Sequence, residues 1–312
     1  MKTFSMLLKR EFWEHRGSWL LAPLVIGAVM QVLCAAFLLF RPTRAGGVAP
    51  DEIARVQDVL EVTRFSGLIP FFVIQCFVVL IYSVGALHDD RRDRSVLFWR
   101  SMPVSDTMTV LSKLTSAVVI VPVIMIGLSL LFVVCLQLQT LLILTAKGSM
   151  SWSGMLELML HGGVFNWVSN VALLIPLNAL WAAPAVAWLL LVSAWARRAP
   201  FLWAIGVPGL ITALLWWLEK STTRDLGFGW ITENVMDRWS GFIPVHPLPD
   251  VNMAINRLQG KGSAFNDGFT FDLVLTRYQE KLSDPTFWLG VLLGVAMIAL
   301  AVRLRRWRAD AP

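Results

Sequence analysis

Residues suited to chemistry are few and scattered along this 312-residue chain. His88-Asp89-Asp90 sets an imidazole beside two carboxylates, the beginning of a metal site, but it lacks further ligands at usable spacing. His15, His161 and His246 stand far from it, and none forms the H-E-x-x-H spacing that puts two imidazoles on one helix face. Cys34, Cys76 and Cys135 lie inside apolar runs without charged neighbours. They read as small core hydrophobes, not as thiolate ligands or a disulfide framework. The sequence has no Gly-x-Ser-x-Gly elbow, and Gly260-Lys261 lacks both the upstream Gly and the following Ser or Thr of a phosphate loop. The chain is therefore expected to catalyse nothing itself, to hold no metal or cofactor, and to leave nucleic acid alone.

The densest charge lies in "HDDRRDRSVLFWRSMPVSDTMTVLSK", His88 to Lys113. Asp89, Asp90 and Asp93 are expected to open a short helix, where the helix dipole favours negative charge. Arg91, Arg92, Arg94 and Arg100 add the opposite sign. Val96, Leu97, Phe98 and Trp99 are consecutive, so they wrap around such a helix instead of sharing one face. Met102 precedes Pro103 and should be extended, which ends the helix. Ser105 then offers an N-cap with Asp106 in the following first turn. Lys113 falls near the end of an apolar run, where it can snorkel to water.

The elements that position this stretch follow from composition. Hydrophobic residues make up 56% of the chain and charged residues 15%, well under the quarter usual in soluble domains. Six runs are apolar and long enough to span a bilayer: Ser18–Phe40, Phe65–Leu87, Thr109–Leu138, Val168–Ala194, Phe201–Leu218 and Thr286–Val302. The first exceeds a signal-peptide core in length and has no small-x-small cleavage pattern after it, so it reads as a retained anchor. With both termini inside, 15 of the 27 Lys and Arg but only 7 of the 21 Asp and Glu fall on the cytoplasmic side. The positive-inside rule favours that orientation.

Three segments then lie outside. Arg41–Arg64 is a polar connection with a short helix from Pro50. Met150–His161 carries Trp152, Met155, Leu156, Met159 and Leu160 along one face. Glu219–Pro285 is too long for a bare loop and shows two helical stripes, Ile231/Val235/Trp239 and Phe271/Val274/Leu275/Tyr278/Leu282. It is expected to form a small helical cap. No span has an ionisable group near its middle, where ion-driven carriers usually keep one. Pro70, Pro122, Pro176, Pro184 and Pro208 interrupt the spans, and Gly290-x-x-x-Gly294 suits close helix packing. Asn166, Asn170, Asn178, Gln75 and Gln137 either cross-bond helices or line a cavity. Trp181, Trp188 and Trp195, seven apart, form one stripe that faces lipid, a partner helix or an apolar substrate.

The stretch Asp93-Arg94, Val96-Leu97, Ser101-Met102-Pro103-Val104-Ser105 and then Lys113 resembles the cytoplasmic loop of permease subunits in ABC-2-type exporters. Asp stands where that family more often has Glu, and Ser95-Val96 where Gly-Thr is common. The beginning, "LLKREFWEHRGSWLLAP", is similar to the family's amphipathic elbow helix. Here Met1, Phe4, Leu8 and Phe12 form an apolar stripe, Lys2, Lys9 and Arg16 lie together on the opposite face, and Glu11 interrupts the apolar border. The ending, "WLGVLLGVAMIALAVRLRRWR", is like the family's sixth span and basic tail.

The resemblance implies one all-α polytopic membrane domain over 1–312: six transmembrane helices, an elbow at 1–17, a cytoplasmic coupling loop at 88–105, and an extracytoplasmic insertion at 219–285. It implies a multi-pass protein of a bacterial inner membrane that pairs with a second permease copy and contacts membrane lipids. Two separate ATPase subunits would bind ATP and magnesium. Asp89, Asp90, Arg91, Arg92, Asp93, Arg94, Leu97, Phe98, Trp99 and Pro103 would engage them, helped by Phe4, Leu8, Lys9, Arg10, Glu11 and Phe12. Alternatives are a mechanical transmitter acting on an extracytoplasmic partner, an ion-driven carrier, and a membrane enzyme.

Overall fold

In hydrocarbon, a single apolar segment can satisfy its own backbone N–H and C=O groups only as a helix. The computed structural model of the chain is accordingly helical, with no strand among the described residues, which are 2–40, 50–92, 105–148, 151–153, 156, 164–222, 229, 238 and 271–309. The helices are α1 (Lys2–Arg16), α2 (Ala22–Phe40), α3 (Pro50–Arg92), α4 (Asp106–Thr115), α5 (Val121–Ala146), α6 (Val164–Trp195), α7 (Pro200–Thr222), α8 (Phe271–Ser283) and α9 (Pro285–Ala309). Six continuous stretches are long and apolar enough to cross a membrane: Thr3–Phe40, Gly67–Arg91, Asp106–Ala146, Ile175–Trp195, Pro200–Thr222 and Pro285–Trp307.

The helix from Pro50 is not short. It runs unbroken into the second span as α3, so Asp89 and Asp90 fall in its last turn instead of opening a new helix. Two other joins are also continuous. A π-turn at Gly17–Leu21 links α1 to α2, and another at Ser116–Ile120 links α4 to α5. In each, the N–H after the turn bonds five residues back, Ala22 to Gly17 and Val121 to Ser116. A proline follows at once, Pro23 and Pro122. Proline has no N–H and crowds the carbonyl four residues back, so the wider turn relieves the backbone at that point.

The bundle is built on α6, which packs along α9 and α3, while α5 packs on α3 and α2. Its core holds Val79, Val110, Val121, Met125, Val186, Leu189, Leu190 and Ala301, each fully buried. A second cluster, Leu68, Phe71, Phe72, Phe132 and Val133, lies further along α3 and α5. Fit, more than water exclusion, stabilises such packing, because lipid is as apolar as the side chains. Gly294 shows this: a Cβ there would stand 3.2 Å from the Pro184 Cα, so the glycine lets α9 approach α6. By contrast α2 and α7 turn Leu24, Val32, Leu33, Phe37, Leu202 and Leu210 outward.

Polar groups hold helices together away from the core. Gln31 Nε2 donates to Gln139 Oε1 (2.7 Å), and Lys147 Nζ to the Leu38 carbonyl (2.7 Å), joining α2 to α5. Gln75 and Gln137 are buried. The Trp stripe meets the chain's own helices: Trp181 stacks on Phe287, Trp188 bonds α7, and Trp195 packs edge-on against Trp203. Trp188 Nε1 donates to the Ala204 carbonyl at 3.0 Å. That carbonyl lies four residues before Pro208, which has no N–H to offer it, so the indole replaces the missing helical bond.

Candidate functional site

Charge on an otherwise apolar helix face must be paired or reach water. At the end of the bundle that gathers both chain termini, four helices solve this together. The face of α1 that turns inward carries Leu7, Glu11 and His15 and continues to Trp19, while Phe4, Leu8 and Phe12 are only half-buried beside it. Glu11, which breaks the apolar border in the sequence, is thus at the centre of the contact. Its Oε2 accepts from the Tyr82 hydroxyl of α3 (2.7 Å), and its Oε1 lies 3.2 Å from Lys113 Nζ of α4. Both charged side chains are almost completely buried, 3% exposed for Glu11 and 5% for Lys113. Lys113 therefore does not snorkel; carboxylates on two neighbouring helices hold it inside. His15 stacks on Trp19 and meets Tyr82 edge-on, sealing the pair from one side.

The network continues towards the connection between α3 and α4. Lys113 Nζ is also 3.4 Å from Asp90 Oδ1. Asp90 Oδ2 is 3.5 Å from Arg305 Nη1 near the end of α9, and Arg305 Nε is 3.1 Å from Asp106 Oδ1 in the first turn of α4. Arg306 ends the series 4.0 Å from Asp106. Signs alternate along it, so three carboxylates and three cations compensate one another in a setting where unpaired charge would be very costly.

Ser105 caps α4 as its position suggests, accepting from Met108 N at 3.2 Å. Arg91 turns to α6, donating to the Ser193 carbonyl and, at 3.1 Å, to that of Ala196, the free carbonyl end of that helix. Ser193 Oγ in turn lies 3.0 Å from the Leu87 and His88 amides, where α3 and α6 come close.

The residues expected to form a coupling surface are divided by this geometry. Asp90 and Arg91 are committed to the chain's own helices. Asp89 folds against Gly85 on its own helix. Arg92 is the last residue of α3. Asp93, Arg94, Leu97, Phe98, Trp99 and Pro103 lie outside the described residues. On α1, Lys9 is exposed and Arg10 pairs with Glu14 at 3.3 Å. Sequence reasoning missed Glu11, Lys113 and Arg305 as partners. The available signal was that Glu11 and Lys113 each interrupt an apolar stripe with opposite charge.

Comparison with known proteins adds no relative. No family profile, curated protein or solved structure matches this chain. Among the described residues no three His, Cys, Asp or Glu side chains converge as a metal site would require.

At the opposite end of the bundle the expected cap falls largely outside the described residues, including Ile231, Val235 and Trp239. Its second stripe is α8, with Tyr278 packed against Leu177, Trp181 and Phe287. Arg238 is buried there, and Gly290 accommodates it: a Cβ on Gly290 would collide with the guanidinium. The Gly290-x-x-x-Gly294 pair thus serves two neighbours, Arg238 and α6, instead of a single helix interface.

Proposed function

We propose that this chain is the membrane subunit of an ATP-driven exporter of the ABC-2 type, catalysing nothing itself and coupled to separate ATPase subunits through the 93–104 connection. The observation that carries the reading is the anchoring of both ends of that connection. Asp90 before it and Asp106 after it share Arg305 on α9, and Asp90 shares Lys113 with Glu11 on α1. A soluble partner that displaced the connection would therefore pull on the second, third and sixth spans and on the N-terminal helix together. Charged networks with two discrete pairings are suited to such switching, because intermediate arrangements leave buried charge exposed to a low dielectric.

In this reading the basic end faces the cytoplasm of a bacterial inner membrane. A second copy completes a two-fold permease, and ATP and magnesium reside on two partner ATPases. Asp93, Arg94, Leu97, Phe98, Trp99 and Pro103 supply the docking surface, and Asp90 and Arg91 hold its base. The sequence resemblance in Met102-Pro103-Val104-Ser105 and the N-terminal helix supports the class; the substrate is left open.

A second reading is favoured by α9 itself. Its basic end carries Arg305, and its other end accepts bonds from Arg238 through the Thr286 and Phe287 carbonyls. One rigid helix thus joins the ionic network to the outer segment, as a mechanical transmitter to an external partner would need.

Gentle isolation of the tagged chain from its native membrane, followed by mass spectrometry, tests both. A stoichiometric P-loop ATPase is expected, lost on reversal of Asp93 and Arg94 or on F98A/W99A and kept when the outer segment is shortened. Isolation of the intact protein without any ATPase would refute the assignment. A co-isolated outer protein would favour transmission.

A further inference from the structure

The inward face of α1 carries Leu7 and Glu11, yet the apolar stripe Phe4, Leu8 and Phe12 lies one position further along the chain. The π-turn at Gly17–Leu21 accounts for the offset. An α-helix turns about 100° per residue, and a π-turn holds one residue more than an α-turn. With α2 fixed, that extra residue sets α1 one step out of phase with a continuous helix. Closing the turn would move each residue of α1 into the place of the one before it, Leu8 for Leu7 and Phe12 for Glu11. Glu11 would pass to the half-buried place of Arg10, and Arg10 to the exposed place of Lys9. The exposed Trp13 would gain the half-buried place of Phe12. The two buried places on the described length of α1 would thus both hold apolar side chains, and Lys113 would keep its contact with Asp90.

We propose that α1 has two registers, exchanged by opening and closing of this π-turn: the present one, latched by Glu11, and a second with Phe12 in its place. Two features hold the present register. Glu11 meets Lys113 at 3.2 Å and Tyr82 at 2.7 Å. Pro23 follows the turn, and in a continuous α-helix its ring would crowd the Trp19 carbonyl four residues back. Partial rotation is disfavoured, because it leaves Glu11 without either partner while still inside the bundle. The π-turn at Ser116–Ile120 has no such alternative. Closing it would carry Lys113 into the buried place of Ser112, so α4 stays where it is. The second register therefore frees α1 from the third span and leaves α4 joined to α3 through Lys113 and Asp90. Both registers belong to the chain alone and do not depend on the exporter reading.

The test is the labelling rate of single cysteines with a water-soluble maleimide, in the full chain in nanodiscs with Cys34, Cys76 and Cys135 replaced by Ala. Leu7 is buried now and would take the exposed place of Met6; Leu8 is half-buried and would take the buried place of Leu7. L8C should therefore label faster than L7C in the parent. P23A removes the ring that keeps the turn open, so L7C should label about tenfold faster and L8C more slowly, as a minor state of a few per cent becomes a major one. E11Q with Pro23 intact should give the same pair of opposite changes by a separate route. Deleting Ser18, an exposed residue of the turn, removes the extra residue and fixes the present register, so P23A should then change nothing. Unchanged labelling in both P23A and E11Q would overturn the proposal. So would L7C and L8C rising together in both, since α1 would then detach instead of rotating. A P23A effect that survives the deletion would also overturn it, because the π-turn would not be its source.

Discussion

Glu11 and Lys113 are 102 positions apart in the chain and 3.2 Å apart in the fold, and together they fasten the N-terminal helix to the start of the third span. Lys113 also serves Asp90, so removing its charge strands two carboxylates. Lys113→Met should therefore be the most damaging single change in the network, about 3–5 kcal/mol, and Glu11→Gln should be milder because Asp90 still pairs with Lys113. Combining Glu11→Gln with Lys113→Met should cost clearly less than the sum of the two. Thermal unfolding in detergent measures this; strictly additive losses would mean that the contact carries no coupling.

Arg305 lies between the two ends of the 93–104 connection, 3.5 Å from Asp90 and 3.1 Å from Asp106. Arg305→Gln should lower stability by about 2 kcal/mol, as expected for lost charge-assisted bonds. In the proposed complex the ATPase should still bind, because Arg305 belongs to the anchorage and not to the docking surface. Movement should be what fails. Spin labels on the connection and on the exposed Leu292 of α9 should show a distance that responds to ATP in the parent protein and not in the variant. A full response in Arg305→Gln would remove α9 from the coupling route.

Much of this architecture is legible in the sequence because bilayer thickness fixes helix length. Each expected span overlaps an observed one, and Ser105 caps the third as its residue type suggests. What escaped has physical causes. A helix boundary beyond the apolar run leaves no hydropathy signal, so α3 extends back to Pro50 and places Asp89 and Asp90 at its end. Partners such as Glu11 and Lys113 are decided by the tertiary arrangement of helices. The apolar stripe Phe4, Leu8, Phe12 marks α1 as amphipathic but not which face meets the bundle: the inward face is one position earlier, at Leu7 and Glu11, where the ion pair and the Tyr82 bond are made.

The Trp188 indole compensates a defect in another helix, and that makes a reciprocal test possible. Trp188→Phe preserves the aromatic volume but leaves the Ala204 carbonyl without a donor. The expected loss is about 1–2 kcal/mol, the usual cost of an unmet buried acceptor. Pro208→Ala restores a backbone N–H four residues after Ala204, so in the Trp188→Phe background it should recover most of the loss. If Trp188→Phe costs the same with either residue at 208, by thermal unfolding, the indole is not replacing that bond.

Asp284 offers a pH signature at the other end of the bundle. Its carboxyl is held below the ordinary aspartate range chiefly by the Thr286 hydroxyl and then by the Thr286 amide. A depressed folded-state value means that ionised Asp284 stabilises the fold above the unfolded-state pKa of about 4, and that this contribution fades as pH falls through the lower folded value. Asp284→Ala should thus cost about 1 kcal/mol near neutral pH, typical of a lost N-cap. The gap in unfolding midpoint between parent and variant should narrow steadily in acid. A gap that stays constant from neutrality to strong acid would show that the carboxylate charge contributes nothing to the cap, and that Pro285 and the apolar contacts of Phe287 set the start of α9 without it.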